Sequence, residues 1–319
     1  MPLIDMPLEE LKRYQGRNPR PADMEEYWAR ALSEMHALGT GCELVPATFH
    51  APGVECFELY FIGAGGARVH GRLARPAGKK NLPAVLQFHG YSGEGASFSS
   101  LLSYVAAGFV SVSMDARGQG GYSEDSGRVK GTTYSGQIIR GLDDPDPDKL
   151  LFRNIFLDTA QLARIVMDME EVNASRVGCF GGSQGGALTL ACAELEPSIC
   201  RAAPIMPFLC DYQRVWEMDL AINAYDELKY YFRHFDPRHE REKEVFTKLG
   251  YIDNQHLAHR IRAEVMMFTG LMDTICPPSS QFAAYNKITS KKQVIIYPDF
   301  AHEGYPGSDD MIMQFMLGM

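Results

Sequence analysis

The sequence lacks a long cluster of lysine and arginine residues. Its 319 residues include 31 Lys and Arg against 40 Asp and Glu, which gives a formal net charge of −9. A protein that binds the phosphates of nucleic acid normally presents a basic patch. The charge balance therefore argues against nucleic acid as a partner.

Long apolar runs are also missing. No stretch of 18 or more apolar residues occurs, so neither a membrane span nor a membrane partner is expected. The first 21 residues, MPLIDMPLEELKRYQGRNPRP, do not show the basic-then-apolar pattern of a secretion signal.

Paired cysteine motifs are absent as well. The sequence has seven cysteines, an odd number, and none of them forms a CxxC pair. Several lie in apolar segments such as VGCFGG and LACAEL, which favours buried, reduced thiols. We therefore expect a cytoplasmic protein, and a single disulfide is the alternative that the cysteine pattern leaves open.

Short apolar strands and helical segments are present, and they alternate along most of the chain. The predicted strands from residue 82 onward read LPAVLQFHG, FVSVSMDARG, SRVGCFGG, CRAAPIMPF, AEVMMFTG and KKQVIIYP. Helical patterns separate several of them, and residues 54–75 add two earlier strands joined by a glycine-rich turn. Such alternation predicts an α/β protein with a mostly parallel, twisted sheet and helices on both faces.

Three segments depart from the alternation without dividing the chain. Residues 1–40 read as an N-terminal arm plus a helix, and residues 118–150 as an irregular insertion rich in Gly, Asp and Pro. Residues 208–262 are aromatic and charged, and they predict two or three inserted helices over the C-terminal edge of the sheet, as a partial lid or an oligomer contact. Because no repeat or linker is found, residues 1–319 are predicted to form one domain.

One serine stands in a dense run of glycines. The stretch RVGCFGGSQGGALTLACAEL, residues 176–195, contains a G-x-S-x-G pentapeptide centred on Ser183, between a predicted strand and a predicted helix. This is the setting of a nucleophile elbow, a sharp strand-to-helix turn that exposes a serine hydroxyl. A Cβ beside the serine would collide with the adjoining strand and helix, which accounts for the glycines. The free N–H groups of the helix N-terminus can also stabilise an oxyanion.

A serine needs a base, and the base needs an orienting acid. In the α/β-hydrolase order, serine is followed by the acid and then by histidine. Of the histidines after Ser183, His302 in YPDFAHEGYP directly follows the last predicted strand. Asp273 in FTGLMDTICPP follows the strand before it and is our choice of acid. Asp299 is the rival, since it lies three residues before His302, but it could instead cap or turn the loop.

The second oxyanion donor should come from the loop after an early strand. The stretch LQFHGYSGEG makes the backbone N–H of Tyr91 the candidate, paired with that of Gln184. We expect the ring of His89 to brace this loop rather than to react.

No cofactor or metal is expected. The stretch RGQGGYSEDSG follows a strand, but Ser123 stands where a third dinucleotide-binding glycine would be, and no phosphate-binding G-x-x-x-x-G-K-[ST] motif occurs. His256 and His259 could share a helix face, but no cysteine or acidic residue is spaced to complete a zinc site.

The ordered set of motifs is more specific than the pentapeptide alone. In chain order they read HGYSG, RGQ at 117–119, GGSQGG at 181–186, MDTICPP, and HE at 302–303. Together with the length, the N-terminal helix and the insertions, they resemble the acetyl xylan esterase and cephalosporin-C deacetylase family, carbohydrate esterase family 7. The resemblance covers essentially the whole chain.

The resemblance implies an α/β-hydrolase fold and a serine esterase that removes acetyl groups from small substrates, such as acetylated xylo-oligosaccharides and cephalosporin C. It assigns the nucleophile, acid and base to Ser183, Asp273 and His302, and the oxyanion donors to Tyr91 and Gln184. It also implies a cytoplasmic homohexamer.

The same resemblance carries over Arg117 and Gln119 as motif residues that hold loops near the site, and Glu303 as a structural residue. The alternatives are a dienelactone hydrolase-like or peptidase-like α/β-hydrolase and, outside the enzymes, a hydrolase-fold binding protein. Dienelactone hydrolases typically use a cysteine nucleophile, whereas the elbow here holds Ser183. Peptidases of this type usually carry an additional propeller domain. Binding proteins with this fold tend to lose a member of the triad, whereas this chain keeps Ser183, Asp273 and His302.

Overall fold

The structure is a computed structural model that describes residues 4–129 and 137–319. Part of the predicted 118–150 insertion and the first three residues of the N-terminal arm therefore lie outside the described residues. Within the described residues, no helix is both long enough and apolar enough to cross a membrane.

Nine strands form one sheet in the described part of the chain, in the order β1-β2-β3-β5-β4-β6-β7-β8-β9. The strands are β1 Glu43–Pro46, β2 Val54–Ile62, β3 Arg68–Pro76, β4 Leu82–Phe88, β5 Val110–Met114, β6 Val172–Gly182, β7 Arg201–Ile205, β8 Glu264–Gly270 and β9 Lys292–Tyr297. From β5 to β9 every neighbouring pair is parallel, whereas β1, β2, β3 and β5 pair antiparallel. The predicted mostly parallel sheet is confirmed, with an antiparallel extension at its N-terminal side.

The helices cover both faces of this sheet. Those described are α1 Leu8–Leu11, α2 Met24–Ala37, α3 Phe98–Ala106, α4 Leu151–Met167, α5 Gln184–Leu195, α6 Tyr212–Glu217, α7 Asp226–Phe235, α8 Glu242–Leu249, α9 Pro278–Tyr285 and α10 Ser308–Leu317. Neighbouring strand residues alternate between the two faces: Leu86 packs in the core shared with α4 and α5, whereas Val85 packs in the core shared with α10. Burial on both faces explains why the central strands read as continuous apolar runs.

The segment 208–262 contains α6, α7 and α8 together with short 3₁₀ turns, as expected for an insertion of two or three helices. One part of it meets the loop after β4, where Phe208 packs edge-on against Tyr91 with the ring centres 5.4 Å apart. The sequence patterns did not predict three further elements that are present, namely α1, β1 and α10.

All seven cysteines are free thiols in the structure. Cys42 is exposed, whereas Cys179, Cys192, Cys210 and Cys276 are buried.

Candidate active site

Ser183 occupies a sharp turn between β6 and α5. Its backbone lies at φ 57° and ψ −116°, a region that a residue with a side chain rarely adopts. Neighbouring backbone holds it there: the Ser183 N–H donates to the carbonyl of Ile205 over 2.9 Å, and the Ser183 carbonyl accepts from Ala187 and Phe208, each over 3.0 Å. Strain of this kind persists only where the surroundings determine it, and it clusters at functional sites.

The glycines around Ser183 serve close packing. A Cβ at Gly181 would lie 2.5 Å from the carbonyl oxygen of Phe88, and one at Gly185 would overlap the same oxygen. A Cβ at Gly186 would lie 2.6 Å from the carbonyl oxygen of Ile205. Gly182 differs, because its Cβ would make only an ordinary contact, 3.9 Å from Ile205. At three of the four positions a Cβ would therefore collide with neighbouring backbone, as expected from the sequence, whereas at Gly182 it would not.

His302 connects Ser183 to Asp273. Its Nε2 lies 2.9 Å from the Ser183 hydroxyl, and its Nδ1 lies 2.8 Å from Oδ2 of Asp273. Asp273 follows β8 and is fully buried, whereas the His302 side chain, after β9, is 17% exposed. Oδ2 of Asp273 accepts a hydrogen bond from the Nδ1–H, which leaves the Nε2 lone pair facing the serine hydroxyl. This is the arrangement in which a serine can be deprotonated as it attacks.

Asp273 is prepared as an acceptor by its own loop. Its Oδ1 accepts hydrogen bonds from the backbone N–H groups of Ile275 and Cys276, both over 2.8 Å. Oδ2 is left for His302, with the Gln281 amide 3.5 Å away. The rival aspartate, Asp299, has an exposed side chain.

The two candidate oxyanion donors lie at the ends of neighbouring strands. Gln184 begins α5, where the first N–H groups of a helix have no partner within it. Tyr91 lies in the loop after β4, next to β6 in the sheet.

Side-chain amides join the Tyr91 loop to the elbow. The amides of Gln119 and Gln184 form two reciprocal hydrogen bonds of 2.8 and 2.9 Å, and Gln119 Oε1 also accepts the Ser92 N–H over 3.0 Å. His89 braces the base of the loop, because its Nε2 accepts from the Ala116 N–H over 2.9 Å and its Nδ1 donates to the carbonyl of Gly90 over 2.7 Å. Burial lowers the pKa of His89, which favours the neutral ring that this pattern requires.

Arg117 and Glu303 do not touch the Ser183–His302 pair. The guanidinium of Arg117 is buried and binds both carboxylate oxygens of Asp158 in α4, and it also donates to the carbonyl of Ala64 over 2.7 Å. Glu303 accepts the N–H of Ala301 over 3.0 Å, within the loop that carries His302.

Potential metal ligands also occur at this site. One ligand atom each of Asp273, Cys276 and His302 lies within 4.8 Å of the others. Asp273 and His302 already bond to each other, and burial raises the pKa of the Cys276 thiol well above its usual value, so the thiol is a poor ligand. The two histidines considered for zinc from the sequence differ in setting: His256 is buried, which lowers its pKa to about 3, and His259 is half-exposed.

Sequence reasoning missed several supporting groups. Glu227 of α7 accepts a hydrogen bond from the hydroxyl of Tyr91, the Cys276 N–H donates to Asp273 within the acid loop, and the Gln137 amide donates to the Ser92 hydroxyl. Glu227 is 136 residues from Tyr91, and no motif or periodicity connects positions so far apart.

Comparison with known proteins agrees with this architecture. Residues 1–319 match the acetyl xylan esterase (AXE1) family. The structure of acetyl xylan esterase 1 from Thermoanaerobacterium sp. JW/SL YS485 is 56% identical, covers 98% of this chain and 99% of its own, and superimposes with a TM-score of 0.96. The structure of acetyl xylan esterase from Paenibacillus sp. R4 is 33% identical, covers 98% of this chain and 99% of its own, and superimposes with a TM-score of 0.93.

A curated relative is the acetyl esterase Axe7A of Xylanibacter ruminicola. It is 24% identical over 310 residues, which are 92% of this chain, and the chain spans 65% of the length of that relative. The α/β-hydrolase fold expected from the sequence is confirmed by the close structural matches. Since the family match extends over the whole sequence, the chain belongs to the acetyl xylan esterase family.

Proposed function

We propose that the chain is a serine esterase that hydrolyses acetyl esters of small substrates. The observation that carries the proposal is the Ser183–His302–Asp273 chain of hydrogen bonds, 2.9 and 2.8 Å long, at the end of a strained elbow. Whole-chain similarity to proteins named acetyl xylan esterase supports the acetyl ester as the bond that is cleaved. It does not favour the dienelactone hydrolase-like, peptidase-like or binding-protein alternatives.

The proposed reaction has two halves. His302 Nε2 takes the proton of Ser183 while Oγ attacks the acetyl carbonyl, and the N–H groups of Tyr91 and Gln184 hold the oxyanion. The His302 imidazolium, oriented by Asp273, then gives its proton to the departing alcohol. In the second half, His302 takes a proton from a water molecule as it attacks the acetyl-serine carbonyl; acetate leaves, and His302 returns the proton to Oγ of Ser183.

The finer parts of the proposal come from the family resemblance. We infer acetylated xylo-oligosaccharides and cephalosporin C as substrates, the cytoplasm as location, and a homohexamer as the assembly. Measuring the mass in solution by light scattering tests the assembly, and a monomeric mass would contradict it. Rates on acetylated xylobiose and on cephalosporin C test the substrates.

Replacing the nucleophile tests the chemistry. Ser183→Ala should abolish turnover of p-nitrophenyl acetate while the circular dichroism spectrum stays that of the wild type, because Oγ is the attacking atom. Ser175→Ala, an exposed serine on β6, serves as the control and should keep wild-type activity. Near-normal turnover by a folded Ser183→Ala protein would exclude the proposed mechanism.

Substrate size provides a second test. The enzyme should prefer acetyl esters to longer acyl chains, and small esters to polymer, because the aromatic segment 208–262 borders the Tyr91 loop. Comparable rates on acetate and octanoate esters, or fast deacetylation of insoluble xylan, would contradict this preference.

A further inference from the structure

Glu227 is a buried carboxylate that the proposed reaction does not use. It lies in the first turn of α7, within the 208–262 insertion, and is only 2% exposed. Its Oε1 accepts a hydrogen bond from the Tyr91 hydroxyl, and its Oε2 accepts hydrogen bonds from the backbone N–H groups of Ile138 and Ile139 over 3.0 and 3.3 Å. One side chain thereby joins three separate parts of the chain.

The carboxylate is held by neutral donors. Burial raises the pKa of Glu227, while the hydrogen bonds from Tyr91 and from the backbone at 137–139 act in the opposite direction. The N-terminal turn of α7 also favours a negative charge at this position. If the carboxylate were removed, the hydroxyl of Tyr91 and the two backbone N–H groups at 138 and 139 would lose their acceptor, which is costly enough to shift the Tyr91 loop and the segment opposite it.

Tyr91 is fixed through its side chain as well as its backbone. Its ring packs edge-on against Phe208, which packs in turn against Tyr225 with the ring centres 4.4 Å apart. The next residue, Ser92, is tied by its N–H to Gln119 and by its hydroxyl to Gln137. Gln119 therefore holds this loop on the side of the elbow, and Glu227 holds it on the side of the insertion.

We infer that Glu227 is a positioning residue for the oxyanion donor, and that it sets the direction of the Tyr91 backbone N–H by anchoring the Tyr91 hydroxyl to the insertion. The inference rests on the proposed function. A donor must lie about 2.7–3.1 Å from the oxyanion to act, so a shift of the loop by a fraction of an ångström weakens the transition state more than the bound substrate. The insertion is then part of the catalytic architecture as well as a border of the site.

Isosteric variants separate this role from general support of the fold. Glu227→Gln keeps the size of the side chain but removes the charge, and Tyr91→Phe keeps the ring and the backbone N–H but removes the hydroxyl. Each should lower kcat on p-nitrophenyl acetate about 10- to 100-fold, which is less than the 10²–10³-fold loss of a whole oxyanion donor, with KM changed less than threefold. The double variant should be no worse than the poorer single variant, because both act through one hydrogen bond.

A transition-state analogue gives the decisive reading. Methylboronic acid forms a tetrahedral adduct with a serine and places a hydroxyl where the oxyanion would be. Its inhibition constant should rise in both variants by about the factor by which kcat falls. Glu217→Gln is the matched control, because Glu217 lies in α6 of the same insertion but pairs with Arg17, 3.0 Å away. This variant should leave kcat and the inhibition constant unchanged.

The outcomes distinguish the two proposals. The positioning role is wrong, while the esterase proposal stands, if the wild-type enzyme is active but both variants fold and keep its kcat and its inhibition constant for methylboronic acid. If kcat falls but boronate affinity does not, Glu227 has only a structural role and the inference is again overturned. If the wild-type protein shows no Ser183-dependent acetyl ester hydrolysis, the proposed function itself fails. Should Glu227→Gln not fold, Tyr91→Phe alone decides the question.

Discussion

The two oxygens of Asp273 have different partners. Oδ1 is occupied by two backbone N–H groups of the loop that Asp273 itself begins, and Oδ2 faces His302 Nδ1. The loop therefore holds the carboxylate at one angle, and the carboxylate holds the imidazole. A nearby aspartate cannot take over this function without a comparable set of donors.

Asp273→Asn and Asp299→Asn should consequently behave very differently. An asparagine at 273 favours the wrong tautomer of His302, and the corresponding change in the chymotrypsin triad lowers turnover about 10⁴-fold. We expect a loss of several orders of magnitude in kcat for Asp273→Asn and a change within a few-fold for Asp299→Asn, measured on one acetyl ester at one pH. A severe loss in Asp299→Asn alone would mean that the acid has been assigned to the wrong residue.

The glycines of the elbow offer a second comparison at the same scale. Gly185→Ala places a methyl group against the carbonyl of Phe88, which only a backbone shift can relieve, whereas Gly182→Ala meets nothing closer than 3.9 Å. Gly185→Ala should lower the free energy of unfolding by about 2 kcal/mol or more, and Gly182→Ala should change it by less than about 1 kcal/mol. Urea unfolding checks the difference, and equal stabilities would show that the elbow tolerates a Cβ at 185.

Among the elements, β3 and β5 are joined by a buried polar pair at the end of β5. Asp115 directly follows β5, and its Oδ2 lies 2.6 Å from Nδ1 of His70 in β3. The same carboxylate accepts hydrogen bonds from the N–H groups of Gly95 and Tyr122. It therefore fixes the loop that carries Tyr91, which contains Gly95, and the segment that follows the RGQ motif, which contains Tyr122. Burial alone would raise the pKa of Asp115, but these hydrogen bonds lower it to about 2.

This pKa shift predicts how stability depends on pH. Because the folded-state pKa is below the ordinary value of 3.8, the unfolded chain binds more protons between about pH 4 and pH 2. The contribution of Asp115, about 2 kcal/mol, is present above pH 4 and is lost as the pH falls toward 2. Asp115→Asn should flatten this part of the stability profile in urea titrations, whereas the exposed Asp310→Asn should not. An unchanged slope in Asp115→Asn would contradict the assignment.

Across the whole molecule, the N-terminal arm is bound to the insertion through Asp211. This buried carboxylate accepts the Tyr14 hydroxyl over 2.8 Å and the N–H groups of Arg17 and Asn18 over 3.0 and 2.8 Å. The Asp211 N–H donates in turn to the carboxylate of Asp253. Segments separated by almost 200 residues thus share one anchor, and the arm contributes to the stability of the insertion that borders the site.

Removing a single donor measures this connection. Tyr14→Phe keeps the ring in place but deletes one hydrogen bond to the buried Asp211 side chain, so it should lower the free energy of unfolding by about 1–2 kcal/mol. Tyr122→Phe alters a ring that is 71% exposed and should change the free energy by less than about 0.5 kcal/mol. If the two variants are equally stable, the arm does not depend on this bond.

Local patterns in the sequence were sufficient for the central architecture. Alternating strands and helices predicted the parallel part of the sheet, and the glycines around Ser183 predicted the elbow, because both signals arise between residues a few positions apart. The chain order of Ser183, Asp273 and His302 could be proposed for the same reason: each follows the end of a recognisable strand, and the carboxyl ends of parallel strands share one edge of the sheet.

Only the tertiary structure decided which distant groups meet. The strand β1 has only four residues, and the helix α10 is stabilised by packing in the core that it shares with Val85 of β4, a contact that no local pattern shows. The Tyr91–Glu227, His70–Asp115 and Tyr14–Asp211 contacts join positions 136, 45 and 197 residues apart. Partner choice at such separations is made by the packing of whole elements, since a buried carboxylate takes whichever donors the fold brings to it.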